Sequence, residues 1–178
     1  MTLEDLSLIA QIASVLLVPA SLLFVGMQMR QTLAIERGNA QRDILDQTRA
    51  WWMLSASDEA MFDTLSRGLA DYHGLSRFQQ ARFSTLCFNL FHIVEGVFWQ
   101  SRERVFSESM REGYYIAFLS IINTPGGRQW WQAASMIGNG EVCGYLSDRL
   151  ANEAEALPLW TDLNPYLRLP GSGNKRGG

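Results

Sequence analysis

The chain has 178 residues, 47% apolar and 19% charged, with 15 Lys+Arg against 18 Asp+Glu and two cysteines. One compact domain plus an extra element fits this length. A disulfide scaffold, a collagen-like chain and a disordered acidic tail are excluded, and the net charge of −3 offers phosphate no general attraction, so nucleic acid is not an expected partner.

The first element lies in residues 6–29, LSLIAQIASVLLVPASLLFVGMQM, 24 positions without an ionisable side chain between Asp5 and Arg30. As a helix it would be about 36 Å long, enough for a hydrocarbon core of about 30 Å. Pro19 falls near its middle, where a membrane helix tolerates a kink. A cleaved signal peptide would open with positive charge, but the only early charges are Glu4 and Asp5. A buried soluble helix would be shorter, and a surface helix would carry a charged face. Residues 1–29 therefore read as a transmembrane helix with the lipid bilayer as its partner. Arg30, Arg37, Arg42 and Arg49 follow it and no basic residue precedes it, so the N-terminus is expected outside and the rest in the cytoplasm.

Residues 30–55 continue in helical character as a stalk, with Leu33, Ala40, Ile44, Trp51 and Leu54 on one stripe. The bundle domain is expected over 56–157. Its first helix starts after SASD at 55–58, with a serine as cap, and carries Met61, Phe62, Leu65 and Leu69. HG at 73–74 ends it and Ser76 opens the next helix, 77–105, which is apolar nearly all round and so expected at the centre. SMRE at 109–112 fits a capping box for a further helix. The breaker NTPGG at 123–127 precedes a short helix over 128–137, and a last helix ends before Pro158. Residues 158–178, with three prolines and several glycines, read as a loosely held tail. No strand pattern occurs, and the expected fold is all-α.

Candidate chemistry is sparse. His92 and Glu95 share a helical face three residues apart, half of a metal site; with apolar neighbours, a buried hydrogen-bonded pair is the first expectation. Cys87 and Cys143 lie in apolar stretches and read as reduced, packed thiols without zinc-ligand spacing. No nucleophile elbow is present. Pro125-Gly126-Gly127-Arg128 could offer donors and an arginine to an anion, although the same string serves as a helix–helix turn. Nineteen of the 20 aromatics lie between Trp51 and Tyr166, enough to fill a core and still face a partner. The pairs Trp51-Trp52 and Trp130-Trp131, with Arg128, are the interaction candidates: adjacent helical residues point about 100° apart, so one of each pair can be buried and the other exposed, the alternative being that both pack against neighbouring helices.

The opening string LEDLSLIAQIASVLLVPASLLFVGMQMRQT and the string PGGRQWW at 125–131 resemble a broad group of uncharacterised bacterial proteins, in which one membrane helix precedes a helical domain. The likeness covers about residues 1–150. The stretch AASMIGNGEVCGYLSDRL after the double tryptophan departs from that group's more charged helix, Ser-Pro-Glu-like turn and Phe-rich last helix. The resemblance implies an inner-membrane, single-pass protein and supplies no catalytic, ligand or cofactor residue. The expectation is an accessory or scaffold subunit that binds a partner protein. The alternatives are a membrane-bound enzyme or metal protein centred on His92 and Glu95, or a homo-oligomeric sensor.

Overall fold

The computed structural model describes residues 3–103 and 105–169, without the side chains at 3, 5, 6, 8–14 and 16. Every regular element among them is helical, so the all-α class holds. The helices are α1 (Leu3–Ser55), α2 (Glu59–Ala70), α3 (Arg77–Arg102), α4 (Glu108–Ile122), α5 (Pro125–Ala134), α6 (Gly140–Glu153) and α7 (Trp160–Leu163), followed by a 3-10 turn, Pro165–Leu167.

The chain divides into two compact units, Met1–Arg42 and Asp43–Gly178. The first is helical throughout its described part, and α1 runs through Pro19, Gly38 and Asn39 without a break. Every residue from 17 to 37 is exposed. Among the described residues no helix is long and apolar enough to cross a membrane. Nine side chains of the uncharged stretch 6–29 lie outside the described residues.

The second unit begins within α1, whose last turns bury Ile44 and Trp51. These are two of the five stripe residues; Leu33 and Leu54 are exposed. Several helix starts have a local reason. Asp58, rather than a serine, caps α2 by accepting from the Met61 N–H at 2.7 Å. Ser76 opens α3 with a reciprocal Gln79 capping box. Ser107 caps α4 two residues before the expected serine, because its hydroxyl reaches the Met110 N–H.

Helix α3 buries Phe83, Leu86, Leu90, Phe91, Ile93, Val94 and Val97. It shares the centre with α4, which packs against α3, α5, α6 and α7. Helix α5 starts at Pro125 rather than at 128, because Thr124 caps it through the Gly127 N–H and proline suits the first turn. The expected breaker glycines are therefore helical. They allow a close crossing: a Cβ on Gly126 would stand 1.8 Å from the Gly68 carbonyl oxygen of α2. The expected loose tail also needs correction. Trp160 and Leu167 are core residues, so the chain stays packed to at least 167 because two large apolar groups are withdrawn from water there. Residues 170–178 lie outside the described residues.

Candidate functional site

The sequence candidates end up in different surroundings. Trp130 and Trp131 are both buried, at 2% and 6% exposure, which removes them as a contact surface. Trp130 meets Phe88 edge-on, with ring centres 5.1 Å apart. Trp131 packs on Phe91 and Phe118 and donates its indole N–H to Ser147 Oγ at 3.0 Å. One face of α5 meets α4 and another meets α2, so adjacent residues 100° apart can both be covered. Arg128 is exposed, and its guanidinium donates to the side-chain and main-chain oxygens of Asn123. Asn123, 3% exposed, donates onward to the Ala154 and Leu157 carbonyls, tying the end of α6 to the α4–α5 turn.

His92 Nδ1 does lie 3.2 Å from Glu95 Oε2, but the expected burial is wrong: the His92 side chain is 65% exposed and that of Glu95 23%. The neighbouring Phe91 and Ile93 are buried, whereas His92 points to solvent. Among the described residues no group of three or more His, Cys, Asp or Glu could hold a metal ion. Both cysteines are buried and free, as read. Burial pushes the Cys87 thiol far above its ordinary range, and burial, helped by Glu95, raises Cys143.

Trp51 and Trp52 behave as the 100° offset predicts. Trp51 is buried and donates its indole N–H to the Leu86 carbonyl of α3 at 2.8 Å, while Trp52 is 42% exposed. Trp160 of α7 completes the cluster, stacked on Trp52 at 5.5 Å and edge-on to Trp51 at 6.0 Å. Together with Leu90, Met110 and Tyr114 these tryptophans line a cavity of about 270 Å³. Gly113 of α4 also lines it, and a Cβ there would meet nothing within 4 Å. The walls are almost wholly apolar. The Trp160 indole N–H is buried without a hydrogen-bond partner among the described residues. Trp160, between Pro158 and Pro165, lies in the segment whose composition reads as a tail, so its place in the cluster is set by tertiary packing.

This chain matches no family model, no curated protein and no solved structure. The site must be read from its own chemistry.

A second cavity, about 240 Å³, lies where α3, α4 and α6 meet and mixes rings with guanidinium groups. Arg149 stands behind it, locked at 2.6 Å to both Glu112 and Glu153 and only 16% exposed. Its hydrogen bonds raise Arg149 and hold the Glu153 carboxyl below the usual carboxylate range. Burial, and then the neighbouring Tyr145, raise the Tyr115 phenol.

Proposed function

We propose that this protein is a membrane-anchored helical binding module, an accessory or scaffold subunit of an inner-membrane assembly, whose tryptophan cavity receives one bulky apolar side chain of a partner protein. The observation that carries the reading is the cavity formed by Trp51, Trp52 and Trp160, apolar and open beside a half-exposed indole. Tryptophan is the side chain most enriched among residues that dominate binding energy, and the centre of such contacts is desolvated. Size narrows the occupant. About 270 Å³ falls just below the roughly 300–1,000 Å³ of small-molecule sites, which favours a single anchoring side chain.

The anchor rests on residues 6–29, free of charge over 24 positions, and on the exposure of Leu17, Leu22, Leu23, Phe24 and Met27, which find no cover among the described residues. Arginines confined to the C-terminal flank support a cytoplasmic second unit and an outside N-terminus. The resemblance to membrane-tethered bacterial helical proteins points the same way.

The test has two arms. In cell membranes the chain should resist extraction at alkaline pH; release to the supernatant would end the anchor. Full-length protein purified in mild detergent should bring down a partner that Gly113→Phe and Trp52→Ala each release, with circular dichroism unchanged. Retention of the partner by both folded variants would move the contact elsewhere. Cross-linking through the 17–37 helix with no other protein bound would favour the homo-oligomeric sensor.

A further inference from the structure

Six of the described residues line the cavity between α3, α4 and α6: Phe98, Ser101 and Arg102 from α3, Arg111 and Tyr115 from α4, and Tyr145 from α6. No carboxylate is among them. Guanidinium groups only donate, so two arginines at one cavity want an acceptor, and the nearby acids are largely engaged elsewhere. Glu112 and Glu153 are held by Arg149. Glu141 pairs with Arg102, whose guanidinium also lies over the Phe98 and Trp99 rings. Arg111 is the least neutralised. Its ion pair is Glu108 at 3.7 Å, and that carboxylate is 89% exposed. The Arg111 Nε is buried and lacks a hydrogen-bond partner among the described residues. Ser101 donates to the Val97 carbonyl and its hydroxyl also pairs with the Tyr115 phenol, which leaves the two arginines as the chief donors.

The walls add shape. Tyr145 packs against Phe98 at 5.7 Å and against Tyr115 at 5.3 Å, so the three rings form one continuous aromatic wall beside the arginines. A planar guanidinium binds a carboxylate through two parallel hydrogen bonds, and aromatic walls favour a flat apolar body. We propose that this cavity is a binding site for a small planar carboxylate, with Arg111 as the principal anion contact, Arg102 as the second, and the Phe98–Tyr145 wall holding the body of the ligand.

The experiment titrates the full chain in detergent with three probes, benzoate, its neutral analogue benzamide and inorganic phosphate, followed by saturation-transfer NMR and calorimetry. Benzoate should bind at least about tenfold more tightly than either. Arg111→Gln should weaken benzoate by about tenfold and Arg111→Lys by less, because lysine keeps the charge and loses the fork. Equal binding of benzoate and benzamide would overturn the anion site, and phosphate binding as well as benzoate would overturn the flat-body preference. These comparisons need only the unmodified protein, so they decide the matter even if an Arg111 variant fails to fold. An unchanged benzoate affinity in folded Arg111→Gln would remove Arg111 from the site.

Discussion

Replacing Gly126 by alanine tests the claim that the α2–α5 crossing depends on the absence of a side chain. On helix propensity alone the change should help, by about 0.5–1 kcal/mol. The geometry opposes this. The added Cβ would stand 1.8 Å from the Gly68 carbonyl oxygen and 2.9 Å from the Tyr72 amide nitrogen, both main-chain atoms that cannot rotate aside. Relief requires moving α2 or α5 by an ångström or more, and α2 is itself fixed because Gly68 packs under the Phe83 ring. Overpacking of this kind costs about 1–3 kcal/mol, and backbone obstruction puts it at the upper end. The net loss should be about 2 kcal/mol, lowering the thermal midpoint by about 6 °C for a unit of this size. Gly144→Ala in α6 is the control, since a Cβ there meets nothing within 4 Å. It should raise the midpoint by about 2 °C. Thermal unfolding by circular dichroism reads both. If Gly126→Ala matches the control or stabilises the protein, the close-approach argument fails.

Trp51→Phe should cost more than Trp160→Phe, by about 1 kcal/mol or more, in denaturant unfolding. The first strands the Leu86 carbonyl hydrogen bond, whereas the second removes a buried donor that has no partner among the described residues; equal costs would discredit the hydrogen-bond assignment. Because hydrogen bonds from Arg149 lower the Glu153 carboxyl, their contribution is present above the ordinary carboxylate range and is lost as pH falls through the lowered folded value. Glu153→Gln should therefore be less stable than the parent at neutral pH, with the gap closing as pH falls below the ordinary carboxylate range; a constant gap would refute the linkage. Cys87 should resist a thiol reagent in the folded protein and react promptly in denaturant, since burial both raises its thiol and blocks access; fast labelling of the native chain at Cys87 would contradict its placement.

Local chemistry is readable along a chain, and here it determined the all-helical class, the α3 start at Ser76, the uncharged stretch of 6–29 and the apolar faces holding Ile44, Trp51, Leu65 and Leu69. Those features depend on helical period and on side chains a few residues apart. Whether an apolar face is covered depends on helices distant in sequence, and period cannot report that. Tertiary packing alone buried both Trp130 and Trp131, turned His92 outward, drew Trp160 and Leu167 into the core and made the glycines of PGGR part of a helix crossing. It also brought Trp160 to Trp51 and Trp52, and Tyr145 to Arg111. Both candidate cavities arise from contacts between helices rather than within one, so no spacing along the chain could have announced them.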